Sequence, residues 1–292
     1  MNYYIFIIIL NNLGDFLDKI IEYMLAEDEG FGDITSNAVV EEGKIVNAYI
    51  KSKDEGILAG IDVIRDLFEE YGVNVSFWLK DGTEISNNDV LISLEGDART
   101  ILLLERTALN LLMRMSGVAT AANHYVDIVK DFDVIVAGTR KTSPAIAKFD
   151  KYALKVGGAD PHRFGLDDMI LIKDNHIATC KSSLEALLKA KENTSFSNKI
   201  EIEVETLEDA IDCVKNGADI VMLDNMGPSE VKEVLGELEK LGIRQNSLIE
   251  VSGGITDETI LDYASLGVDI ISIGALTHSS RSLNFSLKFE ES

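Results

Sequence analysis

Residues 165–177 read GLDDMILIKDNHI. An apolar run, Met169 to Ile172, stops on Lys173, and Asp174, Asn175 and His176 follow at once. A strand with one solvated face alternates apolar and polar side chains, and this run does not. Uninterrupted apolar residues suit a strand covered on both faces, as in a parallel sheet with helices packed against it. The charged cluster then falls at the C-terminal end of the strand.

The same pattern recurs downstream. Apolar, β-branched runs occur at Val134–Ala137, Ile200–Val204, Ile220–Leu223, Leu248–Val251 and Ile270–Ile273. Amphipathic stretches such as LEDAIDCVKNGA, PSEVKEVLGELEKLG and TDETILDYASLG separate most of them. Three of these predicted helices close at Gly217, Gly242 and Gly267, as a C-terminal glycine stop requires. Successive β–α units imply a parallel sheet. With so many in a row and no GxGxxG turn, an α/β barrel is favoured over an open doubly wound sheet. The chemistry of a barrel sits on the loops that follow its strands.

Those loops are charged. GTRKTSP supplies Arg140 and Lys141, and GGADPHR supplies His162 and Arg163 before the second run, which ends on Lys173. The third run places Glu201, Glu203 and Glu205 on one face by period-two alternation. The fourth ends in Asp224 and Asn225, the fifth in Ser252, Gly253 and Gly254, and the sixth in Gly274 and Ala275. One charge at a strand exit is usually a solvated loop residue, but charges at exit after exit face one mouth. The glycine turns SGGI and IGAL, each read as leading into a helix start, let backbone N–H groups approach an oxyanion. Barrels frequently bind phosphate on their last two strand loops. Arginine forks suit carboxylates, and the acidic side chains suit sugar hydroxyls or a hydrated Mg²⁺. The inventory fits a phosphorylated sugar and an acidic co-substrate.

Bulk composition sets the background. The formal net charge of −23 argues against nucleic acid and anionic membrane as partners, both of which need a basic face. Residues 138–176 depart from this with seven Lys or Arg against five Asp, a cationic patch suited to a small, highly anionic ligand. Within it, Lys148, Lys151 and Lys155 have the 3 and 4 spacing of one helix side and read as a solvated face. Cys180 and Cys213 are far apart and form no CxxC pair, so neither a disulfide framework nor a zinc site is expected, and a reducing cytoplasm is the default. The opening MNYYIFIIILNN has an apolar run of only eight residues, too short to span a bilayer. Without a preceding Lys or Arg or a small-residue cleavage site it is not expected to be a signal peptide. A packed or oligomer-burying extension and an early start codon stay open as readings. Residues 15–115 have a different texture from the barrel. A helix-like FLDKIIEYMLAED precedes the extended pieces IVNAYIKSK, GILAG, VNVSFWL and DVLISLEG, and then comes one long helix, RTILLLERTALNLLMRMSGVAT.

In combination, EDEGFGDITS (27–36), ERTALNLLMRMSGVAT (105–120), GTRKTSP (138–144), HRFGLDDMILIKDNHI (162–177), VMLDNM (221–226), SGGIT (252–256) and SIGALTHS (272–279) closely resemble quinolinate phosphoribosyltransferases. The resemblance runs in order from about residue 25 to the C-terminus. It implies an N-terminal α/β sandwich over residues 1–118 and an open, TIM-like α/β barrel over 119–276, with a last strand at about 277–292 returning to the first domain. It further implies a Mg²⁺-dependent enzyme of NAD biosynthesis that joins quinolinate to phosphoribosyl pyrophosphate, giving nicotinate mononucleotide, pyrophosphate and CO₂. The implied assembly is a homodimer with sites shared across subunits, or a hexamer built as a trimer of such dimers. On the resemblance, Arg140, His162 and Arg163, with Arg106 from the neighbouring subunit, hold the ring carboxylates. Lys141 and Lys173 lie between quinolinate and the sugar donor, and Glu203 and Asp224 meet the ribose hydroxyls or Mg²⁺. Ser252, Gly253, Gly254, Gly274 and Ala275 cradle the 5′-phosphate. Arg106 also has a plainer reading, as the partner of Glu105 or another nearby carboxylate.

One departure stands out. Many members of that family carry three glycines followed by Asn-His-Arg, whereas this chain has GGADPHR, with Asp160 and Pro161. Three other readings compete: a related paralogue of the molybdenum-transport-associated branch with another substrate, a non-catalytic phosphate or nucleotide sensor, and a nicotinate phosphoribosyltransferase that does not decarboxylate. The sensor predicts the loss of at least one catalytic charge, and none is lost. The last would need fewer cationic carboxylate binders than are present here.

Overall fold

The computed structural model describes residues 19–290, so the apolar opening stretch, whose role the sequence leaves open, lies outside the described residues. Two compact units are present. Among the described residues, the first comprises residues 19–120, Pro144–Val156 and residues 281–290; the second comprises Ala121–Ser143 and Gly157–Ser280. The segment Pro144–Val156 thus groups with the first unit, although it lies inside the stretch expected to form the barrel.

The first unit is built on an antiparallel sheet. Its strands are β1 (Ile45–Ser52), β3 (Asn74–Trp78), β5 (Val90–Asp97) and β12 (Phe285–Phe289), in the order β12-β1-β5-β3. A small β2 (Gly56–Ile57)–β4 (Glu84–Ile85) pair accompanies it. Of the helix Ala98–Ile128, residues 98–120 belong to this unit, and Ile101, Leu104, Ala108 and Leu112 are buried along it at helical spacing. The short helix Ala147–Val156 corrects the reading of its lysines as a solvated face. Lys155 is exposed, but Lys148 is only half-buried and Lys151 is buried beside Phe149 and Asp150. Spacing alone identifies one side of a helix and does not say whether protein or water covers it.

The second unit is a six-stranded parallel sheet in the order β6-β11-β10-β9-β8-β7. Its strands are β6 (Ile135–Ala137), β7 (Ile170–Ile172), β8 (Ile200–Val204), β9 (Ile220–Asp224), β10 (Leu248–Ser252) and β11 (Ile270–Ser272). Ile202, Val221, Leu223, Ile249 and Ile271 are fully buried, as a parallel sheet covered on both faces requires. Between the strands lie helices Ser183–Asn193, Leu207–Lys215, Pro228–Lys240 and Ile260–Ala264. Ser182 caps the first of them by accepting from the Glu185 N–H, and Thr206 caps the second by accepting from the Asp209 N–H. Gly217, Gly242 and Gly267 end the last three in the left-handed region, with φ of 77°, 69° and 83°. No helix among the described residues is long and apolar enough to cross a membrane.

Candidate active site

Parallel register sets the site. Ala137 pairs with Ser272, Ser272 with Ser252, and Ser252 with Asp224, so four strand ends lie level at one edge of the second unit. On the other side, Ile172 pairs with Ile202. The next inward-facing residue of β8, Glu203, is therefore beside the residue that follows β7, Lys173, and the two form an ion pair. Together these ends enclose a cavity of about 550 Å³ lined by Arg140, Lys141, His162, Arg163, Lys173, Glu203 and Asp224, with Glu250, Ser252 and Ser272.

The polar cluster after β7 is a one-turn helix, Asp174–Ile177. The His176 Nδ1 accepts the Lys173 N–H at 2.9 Å, and the His176 N–H bonds back to the Lys173 carbonyl at 2.8 Å. These bonds fix the backbone that presents Lys173. Across the mouth, Thr277 Oγ1 donates to the Lys141 carbonyl at 2.7 Å, which ties the first strand exit to the last.

The GGADPHR segment has a clear local logic. Asp160 bridges to Ala137, with its N–H on the Val136 carbonyl and its carbonyl accepting the Gly138 N–H. Its carboxylate accepts the His162 N–H at 2.6 Å, which holds His162 in the left-handed region at φ 55°. The His162 Nδ1 accepts the Arg163 N–H at 2.9 Å, so the neutral ring carries its proton on Nε2. That nitrogen lies 3.4 Å from both Glu201 and Glu250. Both ring nitrogens thus face protein groups, and the imidazole supports Arg163 from behind.

Glu201 and Glu250 were not assigned roles from the sequence. Glu250 hides as the single charge inside the fifth apolar run, and that interruption was the available signal. Both are fully buried, and Ser272 Oγ donates to Glu250 at 2.5 Å. Burial, followed by the charge of Glu250, pushes the Glu201 carboxyl up to about 8, against the pull of His162 and Arg163. Period-two alternation holds for Glu201 and Glu203, but only Glu203 reaches the cavity. Glu205 lies beyond the end of β8 and is exposed.

Arg163 is buried, and one of its guanidinium nitrogens donates to the Met169 carbonyl at 3.2 Å. Burial and then the neighbouring Arg140 lower its pKa, while Glu201, Glu203 and Asp168 oppose the shift. Two arginines held close enough to repel, beside two lysines, form a pocket that is relieved by a compact polyanion.

One expected feature is placed differently. Gly253 and Gly254 follow Ser252 with φ of 97° and 63°, but the next helix begins only at Ile260, so no helix start stands directly behind that turn. A four-residue helix, Ala275–His278, does follow Gly274 at once. Arg106 lies in the first unit, exposed, and lines a separate concavity of about 320 Å³ with Glu27, Asp28, Asn110 and Arg114. The free cysteines lie outside the mouth lining, Cys213 buried and Cys180 partly so.

Two family models match the chain: the N-terminal domain of quinolinate phosphoribosyl transferase over residues 33–116 and its C-terminal domain over 118–288. A probable nicotinate-nucleotide pyrophosphorylase (carboxylating) of Methanocaldococcus jannaschii is 48% identical over 279 residues, covering 94% of this chain and 98% of the relative. The nicotinate-nucleotide pyrophosphorylase (carboxylating) of Rattus norvegicus is 37% identical, covering 82% of this chain and 81% of its own. Among solved structures, NadC from Streptococcus pyogenes superposes with a TM-score of 0.87 at 35% identity, covering 94% of this chain and 97% of that one.

Proposed function

The chain belongs to the quinolinate phosphoribosyl transferase family, and from that premise we propose that it transfers the phosphoribosyl group of phosphoribosyl pyrophosphate to quinolinate, with loss of CO₂. The observation that carries this reading is the convergence of Arg140, Lys141, Arg163 and Lys173 on one mouth with Glu203 and Asp224.

Quinolinate brings two carboxylates on adjacent ring carbons. Arg140 and Arg163 bind them as guanidinium forks, and a second copy of the chain contributes Arg106 in a homodimer. His162 acts through Arg163, whose N–H it accepts. Lys141 and Lys173 lie between the acid and the sugar donor. Ser252 with the backbone N–H groups of Gly253, Gly254, Gly274 and Ala275 receives the 5′-phosphate.

The ring nitrogen is the nucleophile, so no protein nucleophile is required. It bonds to C1′ of the ribose as the C1′–O bond to pyrophosphate breaks. Glu203 and Asp224 stabilise the positive charge that develops on the sugar, and the lysines stabilise the departing phosphates. Once ribosylated, the cationic ring stabilises the electron pair that stays on the ring carbon as CO₂ departs, and that carbon then takes a proton in place of the carboxylate. Most of the rate enhancement comes from holding the two substrates in line.

The donor set also suits Mg²⁺. Glu203 and Asp224 supply hard carboxylate oxygens at the mouth, and Mg²⁺ is commonly held by one or two carboxylates plus substrate phosphate oxygens. When bound, the ion neutralises charge on the leaving pyrophosphate.

Incubation of the purified chain with quinolinate, phosphoribosyl pyrophosphate and Mg²⁺ tests the assignment. Stoichiometric pyrophosphate, CO₂ and nicotinate mononucleotide are expected, and no turnover at saturating substrates would overturn it. Mixing Arg106→Ala with Lys173→Ala tests the shared site, because a heterodimer regenerates one intact site from two inactive chains. Absence of regained activity after subunit exchange would exclude the contribution from a second copy.

A further inference from the structure

Asn225 is an exposed loop residue immediately after β9, and it takes φ of 55°. Asparagine tolerates the left-handed region better than most residues, but glycine does so at no steric cost. Backbone shape alone would therefore favour glycine here, and the amide needs another account.

Its contacts supply one. The amide Nδ2 donates to Asp224 Oδ2 at 2.8 Å. The backbone N–H donates to the Ser252 carbonyl at 2.9 Å. The amide oxygen lies against Gly253, so closely that a Cβ built on that glycine would come within 2.1 Å of it. Asp224 and Ser252 are register partners on neighbouring strands, so one residue touches both ends of a pair that lines the mouth.

Resting on the phosphoribosyl reading above, we infer that Asn225 is a positioning residue that couples the sugar-facing carboxylate of Asp224 to the phosphate turn at Ser252–Gly253. Its amide orients one carboxylate oxygen of Asp224 through the bond it donates. Its backbone and amide oxygen set the position of the turn. Ribose hydroxyls and 5′-phosphate belong to one donor molecule at a fixed separation, so a residue that fixes the spacing between their receptors acts on donor binding and leaves quinolinate binding alone.

Steady-state kinetics on the purified protein, with Asn225→Gly and Asn225→Asp beside wild type, tests this. Glycine keeps the backbone conformation and removes the amide. Aspartate tolerates the conformation and replaces the donor with a second negative charge. Both variants are expected to lose roughly 10- to 100-fold in kcat/KM for phosphoribosyl pyrophosphate, the usual effect of removing a group that orients a ligating carboxylate. KM for quinolinate is expected to stay within about twofold of wild type, since uniform binding of that substrate is untouched. Wild-type kinetics in both variants would reduce Asn225 to a turn former and overturn the inference. An equal loss toward both substrates would overturn it too, as general disruption of the mouth. Wild-type turnover in the same assay separates the two levels. Its absence removes the phosphoribosyl reading together with this one, whereas an active wild type with unaffected variants removes the role of Asn225 alone.

Discussion

Lys173 and Glu203 form an ion pair across the exits of two neighbouring parallel strands, with the Glu203 side chain the more buried of the two. The pair is a consequence of register, because Ile172 opposite Ile202 leaves the next residues side by side. It holds the lysine at the mouth before any ligand arrives. Lys173→Ala should lower kcat by about 10²- to 10³-fold, the effect of removing one preorganised donor from a charged transition state. Unfolding monitored by circular dichroism should be close to wild type, since the lysine is partly solvated and such pairs contribute little stability. Near-normal turnover in this variant would remove Lys173 from the chemistry.

Arg140→Ala addresses the acid-binding half of the pocket. Arg140 lines the mouth close enough to Arg163 to lower its pKa, so its removal relieves repulsion in the empty pocket while weakening the anion site. Calorimetry should show quinolinate binding lost and nicotinic acid binding affected less, because only quinolinate carries the second carboxylate. Equal losses for both acids would count against the two-carboxylate assignment.

Glu201 ties stability to pH. Its carboxyl rises from 4.5 to about 8, chiefly through burial and then through Glu250. Between those values the folded protein holds a proton that the unfolded chain releases. The contribution of this group is therefore fully present below the unfolded pKa of 4.5 and is lost as pH rises through about 8. Urea denaturation across that window should show wild type losing stability with rising pH, and Glu201→Gln, which mimics the protonated side chain, should lose less. Parallel curves for the two proteins would contradict the shift.

The parallel sheet was legible because burial on both faces writes itself as apolar-rich runs, and Ile200–Val204 is recovered to the residue although two glutamates interrupt it. The mouth was legible for a related reason: parallel strands all end at one edge, so charges after successive strands must converge. Residues whose meaning depends on distant packing were not. Lys151 sits on a helix side that sequence spacing describes equally well as wet or dry. Glu201 on β8 and Glu250 on β10 meet at His162, and no local pattern records that. Asp160 looked like a departure from a glycine-rich segment. Its carboxylate instead supplies the turn bond that holds His162 in a conformation glycine adopts freely.

The first unit contains a buried ion pair that should be costly to break from one side. Asp150, fully buried, accepts from Arg114 Nε and Nη2, each at 3.0 Å. The fork is bidentate, and removing only the arginine strands a buried charge. Arg114→Met should destabilise the protein by about 3–5 kcal/mol. Adding Asp150→Leu should recover most of that loss, since a buried pair replaced by apolar residues is often neutral. Chemical denaturation of the single and double variants measures both terms. A double variant no more stable than the single would mean that packing of the arginine stem, and not charge, dominates.

Gly253 gives the sharpest steric prediction at the mouth. Its φ of 97° is one that side chains rarely adopt, and an added methyl would meet the Asn225 amide at 2.1 Å and the Asn225 backbone nitrogen at 3.0 Å. Gly253→Ala must therefore move the turn, Asn225, or both. Moving Asn225 disturbs the bond it donates to Asp224, so one methyl group should damage the phosphate turn and the sugar-facing carboxylate together. The backbone strain alone is of order 1–3 kcal/mol, and kcat/KM for phosphoribosyl pyrophosphate should fall by at least about tenfold. Gly254→Ala is the matched control. That residue is also left-handed, at φ 63°, but has no atom within 4 Å of an added Cβ. It should carry left-handed backbone strain without the collision with Asn225, and a smaller kinetic loss. Kinetic losses of equal size in the two variants would assign the effect to the backbone and not to the Asn225 contact.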